Sequence, residues 1–337
     1  MSHIYRLAPL FSLMWTVLLT ACSEWDTHTM GSKFVPANSE VRKFTHPLYI
    51  EYSADGAKVW GPAADEVTAD VDGHCVSIHN LSDSLAIFAY GYADKYTDNG
   101  NLSIQSSQPY ALYLTDLSLR SQSSPVITSD HACHIVLSPN SKNQLFGQIN
   151  IQGDLTLSGN KGELIIENDA TCISAASLSC QYSVVVTLKS KNGNGICLYD
   201  GAMRSTGTWN FQTAQPAIAS PDSIVLREGN YQGTTTSGAF FSSSRGLLHQ
   251  MTNILVAAQD CSLLADTAIM NHLESVMPLC QQQLVGVTLE ADSSYNVLIN
   301  SSTTALTKFT PSQTLKDPWV IYTNAFISAS DTLHFIK

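Results

Sequence analysis

The chain has 337 residues, a formal net charge of −11 and only 17 Lys and Arg. An acidic chain without a basic run does not attract phosphate backbones, which argues against nucleic acid as a partner. Charged residues make up only 13% of the chain while Ser and Thr are abundant. That is the composition of a β-rich scaffold, with Thr, Val and Ile in strands and Ser, Asn and Gly in turns.

At the start, Arg6 supplies a short positive region and Leu7 to Leu19 a largely apolar run. The run is too short to span a bilayer, which takes roughly 20 residues, and it fits a removable export signal. It ends in Leu19-Thr20-Ala21-Cys22, which resembles the lipobox of bacterial lipoproteins. An ordinary secretory signal would have no reason to place a cysteine there. Residues 1–21 are therefore read as a lipoprotein signal peptide and 22–46 as a lipidated tether, acylated on Cys22. The tether opens on Ser23-Glu24-Trp25-Asp26, a polar, acidic start similar to export tags on surface lipoproteins of Bacteroidota. The expected location is the outer membrane or cell surface, facing periplasm or exterior. No other segment approaches transmembrane length.

From Leu48 the sequence turns to short apolar alternations separated by turns: Leu48 to Tyr52, Val67 to Val71, and Val76-Ser77-Ile78. Asp98-Asn99-Gly100 is a turn signal. Small antiparallel strands are expected here, followed by Ala111 to Leu114 and Leu117 to Leu119.

The middle of the chain repeats. Isoleucines recur at Ile104, Ile127, Ile151, Ile173, Ile196 and Ile218, in steps of 23, 24, 22, 23 and 22 residues. Between them lie further short alternations, among them Leu155-Thr156-Leu157, Val184-Val185-Val186 and Ile224-Val225-Leu226. Several short strands per repeat, with no helical spacing, are the signature of a β-solenoid. A single coil cannot bury its inner face, so stacking of coils makes the core. A β-sandwich with coincidental isoleucine spacing is the competing account, and five near-even steps favour the solenoid. The expected fold is all-β: a β-solenoid domain over 47–233, with coils at about 104–233, and a C-terminal β-rich element over 234–337. In that element Leu263 to Met277 could form a short helix. Val285 to Leu289, Tyr295 to Ile299, Leu306 to Phe309, Trp319 to Tyr322 and Leu333 to Ile336 read as strands.

Seven stretches stand out in order and spacing: Tyr110 to Leu119, Ser124 to Ile127, Gly153 to Gly159, Asn194 to Cys197, Gly207 to Phe211, Pro216 to Ser220 and Phe309 to Thr314. The first six resemble a carbohydrate-binding domain family described from a clostridial cellulose- and pectin-binding protein and common in Bacteroides lipoproteins, and the last is similar to a recurring C-terminal element of these proteins. Together the stretches cover well over half of the mature chain. The resemblance implies a right-handed parallel β-helix related to polysaccharide lyases, binding plant-type polysaccharide and calcium. Where family members carry an acidic pair, this chain has Ile173-Ser174-Ala175-Ala176. Calcium takes six to eight oxygens, usually from several carboxylates, so the two alanines weaken that site.

Candidate site residues follow from corners and aromatic side chains. Asp154, Asp200 and Asp222 recur near the isoleucine ladder, and stacked corner carboxylates repel unless a cation lies between them. A calcium ion bridging Asp200 and Asp222 is the functional reading and solvated corners the plainer, preferred one. Tyr182 and Tyr199, near corners, are the candidate exposed sugar platforms. Trp209 and Phe211 align one coil after Val186 and Leu188 and read as core. Asp130-His131-Ala132-Cys133-His134 reads as a turn with a buried cysteine, since His131 and His134 point to opposite faces of a strand. Asp70-Val71-Asp72-Gly73 lacks the rest of a calcium loop and reads as a strand and turn. Cys75, Cys133, Cys172, Cys180, Cys197, Cys261 and Cys280 are odd in number. Cys172/Cys180 and Cys261/Cys280 are the closest disulfide candidates, with buried thiols an equal alternative. Lys189, Lys191 and Arg204 lie where a lyase would need a base, but nothing in the sequence sets them beside an acidic site. No hydrolase or metalloprotease motif is present. The expectation is a non-catalytic lipoprotein that binds polysaccharide. An adhesin or protein-interaction lipoprotein is the runner-up, and a polysaccharide lyase comes third.

Overall fold

The computed structural model describes residues 47–337 apart from 66, 82–85, 93–95, 122–124, 182–183, 250–253, 260–261, 265–279, 284–286, 306, 317–318 and 324–331. The described residues form strands and turns with no helix, and the strands stack in parallel as a β-solenoid of about 7 turns. One coil shows the plan. Cys133–Leu137 lies on a first face, Lys142–Phe146 on a second and Ile149–Ile151 on a third. The chain then begins the next coil at Leu155–Gly159, directly in register on Cys133–Leu137.

Parallel, in-register stacking places like residues on like residues. On face 3 the inward row runs Val76, Leu102, Ile127, Ile149, Ile173, Ile196, Ile218 and Phe241, each paired with the next. All are buried. The steps are 26, 25, 22, 24, 23, 22 and 23 residues. Ile127, Ile173, Ile196 and Ile218 thus share one inward row, as the repeat predicts. Ile104 and Ile151 do not: they sit two residues on, in a second inward row paired with Ser129. A two-residue offset keeps a side chain on the same face of a strand, so Leu102 and Ile104, like Ile149 and Ile151, both point inward and spacing alone cannot choose between them.

The coils also extend further than 104–233. Ala86–Tyr90 already pairs in parallel with Tyr110–Thr115, and Ala239–Ser243 with Ser262–Leu264. Among the described solenoid strands, antiparallel pairing falls at the ends. Gly56–Trp60 folds back on Pro47–Ser53, and Thr68–Asp72 on Cys75–Leu81. At the other end Trp319–Thr323 runs antiparallel to Ile254–Gln259 and Cys280–Gln283. Such reversals occupy edge strands that would otherwise invite pairing with another chain. Leu263 and Leu264, expected to begin a helix, are in a strand; residues 265–277 of that expected helix lie outside the described residues.

Faces 1 and 2 merge in two long strands, Met203–Thr213 and Ser223–Thr235. The bend falls at a register shift between Ser205 and Thr206, where Gly207 (φ 95°) stacks on Gly229 (φ 131°). A Cβ on Gly229 would lie 1.9 Å from the Gly207 carbonyl oxygen, so glycine is obligatory there. Trp209 and Phe211 point inward and are buried, in register with Val186 and Leu188 as expected. Among the described residues one asparagine is fully buried, Asn143, and it holds the corner between faces 1 and 2. Its Oδ1 accepts from Leu117 N at 3.0 Å and its Nδ2 donates to Ser141 Oγ at 3.0 Å and Glu163 O at 3.2 Å.

A second, smaller core sits on the outside of face 2. Tyr295–Ile299 pairs antiparallel with Thr307–Phe309 and Leu333–Ile336, as expected for the closing element. Tyr295, Val297, Phe309, Leu315, Trp319 and Ile321 pack with Ala257, whose side chain faces outward from the solenoid. Leu289 makes a single bridge to Leu315, and 284–286 of the strand expected around it lie outside the described residues.

Candidate functional site

The corner between faces 2 and 3 varies in length from coil to coil. Six residues separate Arg120 from Ile127, four separate Asn168 from Ile173, and five separate Ser190 from Ile196. Only Gly147 and Gln148 separate Phe146 from Ile149. This short turn leaves a notch between longer neighbours. Gly147 makes it with φ 138°, where a Cβ would press on Val126 at 3.3 Å. The notch opens into a groove of about 920 Å³, within the range of ligand sites.

The groove runs across coils rather than along a strand. Its spine is the outward row Arg120, Phe146, Glu167, Lys189 and Gln212, each in register with the next. At about 4.8 Å per coil the row spans ~19 Å. Ser121, Gln148, Asn168 and Ser190 line the side towards face 3.

At one end the Arg120 guanidinium lies 4.7 Å from the Phe146 ring centre and 5.1 Å from that of Tyr96. Tyr96 meets Phe146 edge-on at 4.7 Å and donates its hydroxyl to Gln144 Oε1 at 2.5 Å. Arg120 also reaches Asp98 at 3.4 Å. A planar cation held against two rings keeps the rings upright and leaves their other surfaces to solvent. Tyr96 is 45% exposed. Further along, Lys189 Nζ bonds Glu167 Oε1 at 2.7 Å and Lys191 lies 3.8 Å from Asp169. These exposed pairs contribute little stability, each about 0–1 kcal/mol. Their effect is to set alternating charges along the groove. Three cations against two carboxylates give the lining a net positive charge in a chain of −11.

The carboxylates singled out from sequence lie elsewhere. Asp154, Asp200 and Asp222 precede face 1 strands, at the opposite edge of face 3. Asp154 Oδ1 accepts from Ser177 Oγ at 2.7 Å, and Asp222 Oδ1 accepts from Ser223 N at 2.8 Å and lies 3.5 Å from Arg245 Nε. Among the described residues no three His, Cys, Asp or Glu side chains converge as a metal would require.

Tyr199 is 52% exposed, beside this second corner. Its hydroxyl donates to the carbonyls of Ile151 and Gln152, tying the ring to a coil two turns away. Its phenol is pushed up, first by burial and then by the carboxylates of Asp154 and Asp200. Tyr182 lies outside the described residues. Of the three basic residues noted from sequence, Lys189 and Lys191 line the groove. Arg204 is exposed on face 1, level with Ser179 and Val225.

The remaining candidates take their plain roles. Cys133 is buried at the start of its strand; His131 Nδ1 accepts from Ala132 N, and His134 Nε2 meets Ser158 Oγ at 2.7 Å. Asp70 and Asp72 end a strand before a turn at Gly73. Cys133, Cys172 and Cys180 are buried free thiols, so Cys172 and Cys180 are not bridged. Cys261 lies outside the described residues.

Sequence reasoning passed over Arg120, Phe146 and Tyr96. The only signal for them was the short turn at 147–148, whose meaning depends on the register. Comparison of the chain with protein-family models, with curated proteins and with solved structures finds no match.

Proposed function

We propose that this chain is a lipid-anchored extracytoplasmic lipoprotein whose solenoid binds polysaccharide without cleaving it. The observation that carries the reading is the groove along the outward row from Arg120 to Gln212. Carbohydrate recognition needs aromatic surface for the CH faces of a sugar and polar groups for its hydroxyls. Phe146 supplies the first, with Tyr96 set edge-on beside it; Gln148, Asn168 and the charged pairs supply the second. A row of side chains in register suits an extended polymer better than a compact metabolite. Glu167 and Asp169 are engaged by Lys189 and Lys191, which suits them to holding a ligand rather than to abstracting a proton. Anchoring through Cys22 rests on the Leu19-Thr20-Ala21-Cys22 signal.

One observation favours the runner-up, an adhesin or protein-interaction lipoprotein. The outward row of face 3, from Ser77 through Ser103, Thr128, Asn150 and Ser174 to Ala219, is flat and uncharged. Such a surface could take a protein partner.

Affinity electrophoresis of the chain from Ser23 onward, in gels holding plant, algal or host polysaccharides, separates the two. Retention by one polymer, lost on Phe146→Ala or Arg120→Ala, is the expected result. Abolition by chelator would add calcium, and indifference to chelator would remove it. No retention by any polymer would transfer the proposal to the adhesin. Loss of membrane association in Cys22→Ser is expected for the anchor; membrane retention of that variant would refute it.

A further inference from the structure

The groove has a far end, set by a different part of the chain. Along the middle of face 2 the outward row runs Gln144, Ile165, Thr187, Asn210, Gln232 and Ala257. Its last members are covered. Asn210 Nδ2 donates to Thr187 Oγ1 at 3.2 Å, and Gln232 Nε2 donates to Asn210 Oδ1 at 2.6 Å and to Thr310 O at 3.2 Å. Gln232 Oε1 accepts from Ser312 N at 3.3 Å, and Asn230 Nδ2 donates to Lys308 O at 3.1 Å. Gln232 is only 1% exposed although its side chain points away from the solenoid interior. Beyond it, Ala257 belongs to the second apolar core. The segment 308–312 and the sheet behind it therefore stand on face 2 one coil past Gln212, the last residue of the groove.

We infer that the C-terminal sheet is an end stop that limits the bound glycan to about four or five sugar rings. The inference rests on the polysaccharide reading and adds the length and direction of the site. An extended pyranose chain advances by about one coil spacing per ring. A chain lying along the spine thus meets one rung per ring from Arg120 to Gln212, a span of ~19 Å. At the next rung, Thr234, the backbone of 308–312 stands two residues away on Asn230 and Gln232 and walls that side of the row, so a longer chain must lift off the surface there. Rings beyond that point gain no contacts.

Titration calorimetry tests the limit, using the mature chain in detergent and cello-, xylo-, manno- and galacturono-oligosaccharides, each as a series from disaccharide to octasaccharide. Affinity in the series that binds should rise to the tetrasaccharide or pentasaccharide and then stay level. Gln212→Ala, which removes the last rung, should move the plateau one ring shorter. Thr234→Ala, one coil beyond Gln212 and level with the stop, should change neither affinity nor plateau. A rise that continues past the hexasaccharide, or equal losses in the two variants, overturns the end stop while leaving polysaccharide binding in place. No binding by any series or by the parent polymers overturns both.

Discussion

Ile173→Ala measures what holds the coils together. Ile173 is fully buried and lies between Ile149 and Ile196 in the inward row of face 3. The change removes about three methylene equivalents, worth about 2.4 kcal/mol at ~0.8 kcal/mol each. It also leaves a void. Hydrogen bonds to both neighbouring coils fix the spacing of the strands, so the walls close in only partly and the cavity adds about 1 kcal/mol or more. The expected loss is about 3–4 kcal/mol. Each coil packs its inward rows on its immediate neighbours, so the damage falls mainly on two adjoining interfaces. Urea unfolding followed by circular dichroism and by tryptophan fluorescence would measure it. Asn150→Ala, outward on the same face, is the control and should cost less than about 0.5 kcal/mol. Equal losses in the two variants would refute the inward row as the source of stability.

Four further outcomes follow from local geometry. Gly229→Ala sets a Cβ 1.9 Å from the Gly207 carbonyl at φ 131° and should cost about 3 kcal/mol or prevent folding, whereas Gly73→Ala, at φ 60° with open space around it, should cost only about 1 kcal/mol in the same urea assay. Burial pushes the Cys133, Cys172 and Cys180 thiols up to about 12, so iodoacetamide at pH 8.5 should label them only after denaturation, as read by peptide mass spectrometry; rapid native labelling would contradict their burial. An unfolded cysteine titrates near ~8.5, so the folded state holds these protons more tightly. Their contribution to stability is complete below that pH and is lost as pH rises from about 8.5 towards 12. The urea midpoint should therefore fall across that range, and a flat profile would refute the linkage. Arg120→Ala should change stability by less than about 1 kcal/mol, because its contacts are exposed cation–π and ion pairs, while reducing polysaccharide retention; a large loss of stability would recast it as a structural residue.

The solenoid was legible because its core obeys a period. Ile127, Ile173, Ile196 and Ile218 mark the coils directly, and the alignment of Trp209 and Phe211 on Val186 and Leu188 follows once the period is known. The slips at Ile104 and Ile151 arise where an inward residue has an inward apolar neighbour two places away, Leu102 or Ile149. The groove was not legible for a related reason. Its rungs Arg120, Phe146, Glu167, Lys189 and Gln212 are separated by 26, 21, 22 and 23 residues, because turns of different length intervene. Their types also differ, so neither spacing nor composition links them. Tyr199 was a reasonable platform by position, but its hydroxyl is committed to backbone carbonyls. The placement of the closing sheet on face 2 depends on contacts between Asn230 or Gln232 and residues nearly eighty positions later, which no local pattern announces.

The two-residue turn at Gly147 and Gln148 bears on how such a protein can change. The inward rows and the corner turns are written in separate parts of each repeat. An insertion at 147–148 would fill the notch, and a deletion in a neighbouring turn would widen it, with every core pairing left in place. Recognition in this architecture is thus modular with respect to stability. Descendants of one scaffold could diverge in ligand through turn length alone, and the same property makes this corner the natural site for grafting a new binding loop.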